Sequence, residues 1–277
     1  MDLISFKNAN LFSNKQYLYH DKYAKYAEIP LIILNIFLLK DMYNRSKKIN
    51  IVNKIICLLL SIFIADIITA LFHCYYIDRQ VLTKNDDISM DKTNKKIVIN
   101  TTNGYSSGHH VFPSNWKDID DRIIIRDVFI FLTPLFILNY FNPSDAGAFL
   151  IYAILYQLCI SGVTHKYAHE RNHNRYVPGP IKILQNLGLS LSGKKHKIHH
   201  EKLKCNYSLL NGTSDEFSNN LIKKIDEMFN IKSAEEVIHL CKKYVKKYGK
   251  DITIKFVGDI EGEIIVNLDG NILKKKS

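Results

Sequence analysis

The sequence predicts an all-α membrane protein with about four transmembrane helices and a small α/β segment at its C-terminal end. Two observations support this fold class. Apolar residues are concentrated in a few runs instead of being spread along the 277 residues. Lys, Asn and Asp fill the segments between these runs, as is expected of loops at a membrane surface.

The first two runs are residues 24–39 and 51–77. A helix needs roughly 20 apolar residues to cross a bilayer core of about 30 Å, so the first run is somewhat short and the second is clear. Residues 123–141 and 146–163 form the third and fourth runs. The segment Asn142-Pro143-Ser144-Asp145 lies between them and predicts a tight turn, because Pro and Asn stop helices.

The chain becomes polar beyond the fourth run. Residues 181–191 are apolar but too short to span a bilayer, and we expect them at the membrane interface. Residues 252–257 and 263–268 alternate between apolar and polar side chains like two strands. We therefore divide the chain into a membrane domain, residues 1–230, and a small soluble appendage, residues 231–277.

The formal net charge is +11, which fits either nucleic acid or the anionic face of a membrane. The Lys residues flank the apolar runs, which favours the membrane, and we expect no nucleic-acid partner. Four spans place residues 79–122 and everything after residue 164 on one side. The positive-inside rule puts that side in the cytosol, although the opposite side also holds Lys40, Arg45, Lys47, Lys48 and Lys54.

Histidines are the most informative residues of this chain. Eight of the eleven fall into four clusters, each at or just beyond the end of an apolar segment: His73; His109 and His110; His165 and His169; and His196, His199 and His200. Imidazole is the commonest protein ligand for iron, zinc and copper. A single tetrahedral zinc takes four protein ligands at most, so eight imidazoles predict two metal ions.

Helical spacing supports this interpretation. His165 and His169 are four residues apart and share one helix face. In the run His196-x-x-His199-His200, offsets of three and four again share a face, whereas adjacent residues point about 100° apart and could serve two metals.

A carboxylate also lies within the second apolar run. Asp66 precedes His73 by seven residues, or two helical turns, so both lie on one helix face. An ionisable residue at that depth is costly unless it has a partner inside the protein. We interpret Asp66 as a residue that orients a ligand histidine.

One competing motif is His169-Glu170-x-x-His173, which matches the zinc metallopeptidase pattern H-E-x-x-H. In that interpretation His169 and His173 bind zinc and Glu170 is the general base. The pattern has few fixed letters and leaves most of the clustered histidines without a role.

With these motifs the chain resembles the Kua-type lipid desaturases, which include the animal plasmanylethanolamine desaturase and the plant plastid palmitate desaturases. The resemblance covers residues 51–229. It departs from the family at Cys74, where Trp is usual, in a longer loop around residues 84–103, and after residue 230. The matching segments are Ala65-Asp66 with His73, His109-His110-x-x-Pro113, His165 to His169, Lys195 to His200, and Asn206-Tyr207 through Gly212.

The resemblance implies a non-haem di-iron oxidoreductase. If the chain is eukaryotic, we expect it in the endoplasmic reticulum or an equivalent endomembrane, with the metal site on the cytosolic side that the positive-inside rule indicates. All eight clustered histidines would be iron ligands. Dioxygen would be the co-substrate, a membrane lipid the substrate, and cytochrome b5 or a ferredoxin the electron donor. The product would be either the vinyl ether of a plasmalogen or a desaturated fatty acyl chain. A di-iron lipid hydroxylase shares the histidine pattern, and a non-catalytic scaffold is a further alternative.

Overall fold

The computed structural model describes residues 18–78, 88–91, 96–101, 120–202, 204–229, 251–256, 262–267 and 272–276. The predicted ligands His109 and His110 lie outside these residues. The described helices are α1 (Leu18–Lys47), α2 (Ile51–Phe72), α3 (Asp121–Tyr140), α4 (Asp145–Asn172), α5 (Gly179–Asn186), α6 (Gly193–Lys202) and α7 (Asp215–Phe229), and a π-helical turn (His73–Asp78) continues α2.

Three of the described helices are long and apolar enough to cross a membrane: Ile51–Tyr75, Asp121–Tyr140 and Asp145–Asn172. They correspond to the second, third and fourth predicted spans. Helix α1 covers the first predicted span but is not among the three. Its longest stretch without a charged residue is short, because Glu28 precedes it and Lys40 and Asp41 follow it. Along all of these helices, large apolar side chains face outward, which fits a lipid environment.

Local signals in the sequence explain where the helices begin. Asn50 caps α2, since its Oδ1 accepts a hydrogen bond from the backbone N–H of Asn53 at 2.8 Å. Ser144 caps α4 in the same way, with the N–H of Gly147 at 3.1 Å from its Oγ. Each cap satisfies a backbone donor that the first helical turn leaves open.

Aromatic side chains form the core between α1, α3 and α4. Phe136 and Tyr152 are among the largest fully buried side chains of the described residues, and they pack with Leu38 of α1. The hydroxyl of Tyr152 donates to Asp41 Oδ2 at 2.8 Å, so the one polar atom of this ring is satisfied.

Arg45 joins α1 to the turn between α3 and α4. Its guanidinium donates to the carbonyls of Tyr140 (2.6 Å) and Asn142 (2.9 Å) and to Asp41 Oδ2 (2.8 Å). The carbonyls are the open acceptors at the end of α3, which a cation stabilises. One of the basic residues opposite the histidine clusters therefore has a structural role of its own.

The predicted strands near the C-terminus belong to a larger sheet. Strands β3 (Asp251–Phe256) and β4 (Gly262–Asn267) pair in antiparallel fashion, as their alternation predicted, and β5 (Ile272–Lys276) extends the sheet. Strand β3 also pairs in parallel with β2 (Lys96–Thr101), which pairs with β1 (Ile88–Asp91). The C-terminal strands thus share one sheet with the long loop that follows His73.

Removing residues 251–277 is expected to increase tryptic cleavage after Lys96. Strand β2 would lose its partner β3, and the remaining two-stranded ribbon is marginal in water. Mass spectrometry of a digestion time course measures this rate, and the helical circular dichroism of the truncated protein is the control. An unchanged rate of cleavage would contradict the β2–β3 pairing.

Candidate metal centre

Helix α4 continues past its apolar part and carries two histidines at its C-terminal end. His165 and His169 are one helical turn apart and both are buried. The predicted span ends at residue 163, but the helix runs to Asn172. The imidazoles therefore lie on a rigid element at the end of a membrane-spanning helix.

Helix α6 packs closely against this end of α4. A Cβ atom added at Gly193 would lie 2.7 Å from Asn172 Oδ1 and 3.0 Å from the carbonyl oxygen of Ala168. Only glycine allows the two backbones to approach this closely. The approach brings His196 and His200 of α6 next to His165 and His169 of α4.

The four imidazoles converge on one point through their Nε2 atoms. His165 and His169 are 3.1 Å apart at these atoms, and each is 2.9 to 3.0 Å from Nε2 of His196. His200 Nε2 lies 2.9 Å from the same atom of His196. Four nitrogen acceptors this close together, all buried, are the arrangement that a metal cation would stabilise.

A second group forms where α2 ends. His73, Asp78 and His199 are all buried, and the carboxylate of Asp78 lies between the two imidazoles. Its Oδ1 is 3.3 Å from His73 Nε2, and its Oδ2 is 3.4 Å from His199 Nε2. This group could hold a second metal ion.

Sequence reasoning missed Asp78 because it assumed α-helical spacing. Residues five apart in an α-helix point about 140° away from each other. In a π-helix, whose hydrogen bonds join residues five apart, they are stacked one turn from each other. The π-helical turn His73–Asp78 therefore places Asp78 beside His73. Its acidic side chain near a clustered histidine was the signal available in the sequence.

Backbone carbonyls orient the imidazoles of the second group. His73 Nδ1 lies 2.8 Å from the carbonyl oxygen of Tyr207, and His199 Nδ1 lies 2.8 Å from that of Cys205. A carbonyl can only accept, so each Nδ1 carries the proton and donates. Each Nε2 is then left with a lone pair directed at the group, the arrangement typical of ligand histidines.

His196 is held in the neutral form that binds metal. Burial, reinforced by the surrounding imidazoles, holds its pKa well below the ordinary value. A neutral ring can offer Nε2 as a ligand without first losing a proton.

The sequence profile of the lipid desaturase domain matches residues 62–241, which is more than half of the chain. The chain belongs to the lipid desaturase family. The matched segment contains both ligand groups and extends past the predicted domain boundary at residue 230. Neither a curated protein nor a solved structure matches the chain.

Among the described residues, the hydrogen-bond partners of Asp66 do not include an imidazole, so a direct role of Asp66 in orienting a ligand histidine has no support in this geometry. Asp66 is fully buried, and its carboxylate accepts hydrogen bonds from the loop between α6 and α7. The donors are the hydroxyls of Ser208, Thr213 and Ser214 and the backbone N–H groups of Asn211, Gly212 and Ser214. Buried polar oxygens need such hydrogen-bond donors, because water cannot reach them.

This loop links Asp66 to the metal groups. It contains Tyr207, whose carbonyl orients His73, and Gly212, whose φ of 75° is in the left-handed region that favours glycine. Among the described residues, Asp66 is therefore connected to the ligand groups through this loop.

The two histidines of the metallopeptidase motif fall in different surroundings among the described residues. His169 belongs to the group of four imidazoles, and among the described residues neither ligand group includes His173. Glu170 lies 3.5 Å from the guanidinium of Arg175, in an ion pair. A zinc site shared by His169 and His173 has no support in this geometry.

Replacing His169 by Ala is expected to remove at least half of the metal bound per chain, because one of four converging nitrogens is lost. Replacing His173, the control four residues later at the C-cap of the same helix, should leave the metal content within about 20%. Elemental analysis of both purified variants measures this. Equal losses would show that the ligand assignment on α4 is displaced by one turn.

Replacing Asp66 by Asn is expected to lower the free energy of unfolding by about 2–4 kcal/mol, because a charged acceptor is lost and an amide N–H₂ faces the loop donors. Asp215→Asn is the control. Asp215 is also buried at this loop, but it accepts a hydrogen bond from Ser208 N–H at 3.3 Å and burial raises its pKa. Thermal unfolding in detergent compares the stability of the two variants. An equal or larger loss of stability in Asp215→Asn would contradict the anchoring role of Asp66.

Proposed function

We propose that this chain is a membrane di-iron lipid desaturase, which introduces a double bond into a lipid chain in a dioxygen-dependent reaction. The observation that carries the proposal is the pair of buried ligand groups, joined by α6, inside a lipid desaturase domain. Family membership makes the chain an oxidoreductase that acts on lipids. Iron, the reaction type and the substrate are the proposed parts.

The first iron would be held by the group of four imidazoles, and the second by His73, Asp78 and His199. We propose His109 and His110 as further ligands, although they lie outside the described residues. Seven buried donors in two groups exceed the needs of one tetrahedral zinc. Imidazole together with carboxylate suits iron. When bound, the irons would supply the activation of dioxygen that removal of hydrogen from an unactivated carbon chain requires.

The protein's own contribution is positioning and exclusion of water. The carbonyls of Tyr207 and Cys205 hold two rings in one tautomer, and Asp66 holds the loop that carries them. Both ligand groups are buried, so water is kept from the reacting atoms. The groups lie at the ends of α2 and α4, and this supports a reaction in which a lipid chain held between these helices would meet bound metals.

We further propose four membrane spans, with α1 as the fourth, and a metal site that faces the cytosol from an endoplasmic reticulum or equivalent endomembrane. Outward-facing Ile29, Ile32, Ile33 and Ile36 support a lipid-embedded α1. Exposed lysines on α6 and α7 support the orientation. Arg45 is one of the basic residues that would favour the opposite orientation. Its contacts with the end of α3 give a structural reason for a basic residue at this position.

The substrate would be an ether lipid, converted to the vinyl ether of a plasmalogen, or a fatty acyl chain. Electrons would come from cytochrome b5 or a ferredoxin. Hydroxylation of the lipid chain is the alternative outcome of the same metal chemistry. Residues 231–277 would form an appendage that shares its sheet with residues 88–101.

The purified protein, expressed with iron supplied, is expected to hold about two irons per chain, and Asp78→Ala and His200→Ala should each lose about one. Expression in plasmalogen-deficient cells should produce vinyl ethers or new acyl double bonds, detected by lipid mass spectrometry, and His169→Ala should abolish them. A single bound zinc without iron would overturn the metal assignment, and a hydroxylated lipid without any double bond would favour the hydroxylase.

A further inference from the structure

We infer that the outward face of α6 is the docking surface for an acidic one-electron carrier protein, an inference that rests on the proposed function. Helix α6 carries three candidate ligands, His196, His199 and His200, on its buried face. Its outward face carries Lys194, Lys197 and Lys202, all exposed. We call these three lysines the α6 lysine face.

The proposed reaction requires an external reductant. Removing two hydrogen atoms from a –CH₂–CH₂– unit supplies two electrons and two protons, whereas reduction of dioxygen to two waters consumes four of each. Two further electrons and two protons must therefore enter per double bond. A one-electron carrier would dock twice, or two carriers would dock in turn, and each docking must bring its redox centre near the metals.

Among the described elements that supply candidate ligands, only α6 presents exposed lysines on its outward face. The other described elements that supply ligands, α2 with its π-helical turn and α4, contain candidate membrane spans. An α-helix with its side chains is only about 10–12 Å across. A carrier seated on the α6 lysine face would be separated from the ligands by the width of this one helix, and the backbone that bears Lys197 also bears His196.

Composition indicates a protein partner in water and not the bilayer. Large apolar side chains are exposed around the neighbouring helix α5, as expected of a segment at the lipid interface: Tyr176, Ile183, Leu187 and Leu189. No large apolar side chain is exposed on α6 itself, where Ile198 is only partly accessible. The α6 lysine face is thus polar and positive, which favours and steers an acidic partner.

The chain offers a closely matched control on α7, which holds none of the candidate ligands. Lys197 pairs with Glu201 at 3.8 Å, and Lys223 pairs with Glu227 at 3.9 Å, both four residues apart along a helix. The side chains of Lys197 and Lys223 are 65% and 75% exposed. Lys194→Glu/Lys197→Glu and Lys223→Glu/Lys224→Glu therefore make the same change in charge on exposed helix surfaces.

The test is binding of the soluble haem domain of cytochrome b5, and separately of a plant-type ferredoxin, to the full-length protein in nanodiscs of zwitterionic lipid. Lys194→Glu/Lys197→Glu should raise Kd about tenfold for at least one carrier and flatten its salt dependence. The Kd of the α7 control variant should stay within twofold of that of the unsubstituted protein. Lys194→Gln/Lys197→Gln should raise Kd by less, because it removes the positive charges without adding negative ones. An unchanged metal content shows that each variant is folded.

An unchanged Kd for both carriers would overturn the inference, and so would equal changes in the α6 and α7 variants. Lysines that contact anionic headgroups instead would leave Kd unchanged and alter turnover only when phosphatidylserine is added to the nanodiscs, which also overturns it. Failure of the proposed function is visible separately. In that case the unsubstituted protein forms no lipid product even with dithionite as the reductant, while carrier binding can still be measured.

Discussion

A buried carboxylate is the constraint on which the site depends. The Asp66 side chain lies inside the helix bundle, where unsatisfied polar oxygens would cost about 1–3 kcal/mol of folding free energy. The loop between α6 and α7 satisfies it with three hydroxyls and three backbone N–H groups. The loop therefore has one low-energy position, and that position fixes where the carbonyl of Tyr207 meets His73.

Helix α6 connects the two ligand groups with each other and with solvent. His196 and His200 belong to the group on α4, whereas His199 belongs to the group on the π-helical turn. Because adjacent residues of a helix diverge by about 100°, one short helix can serve both groups. Because Gly193 has no Cβ atom, this helix can lie close against α4, which brings its histidines within reach of those of α4.

The departure from α-helical geometry after Phe72 has a chemical consequence. A π-helical turn is rare and less favourable than an α-helical one, and such turns occur often at functional sites. Here it aligns residues five apart, which gives the second group a carboxylate between its two imidazoles. If this group binds a cation, an ionised carboxylate would offset one of its positive charges, whereas neutral imidazoles would offset none.

Sequence alone determined the features that depend on local periodicity and composition. These are the three long apolar helices, the shared faces of His165 with His169 and of His196 with His200, the pairing of β3 with β4, and the family. Only the tertiary structure decided the partition of the histidines into two groups, the inclusion of Asp78, the partners of Asp66 and the pairing of β2 with β3. These contacts join residues far apart in the chain or depend on a local change of helical pitch. Their energies come from packing and from the pairing of buried polar groups, which spacing along one element does not encode.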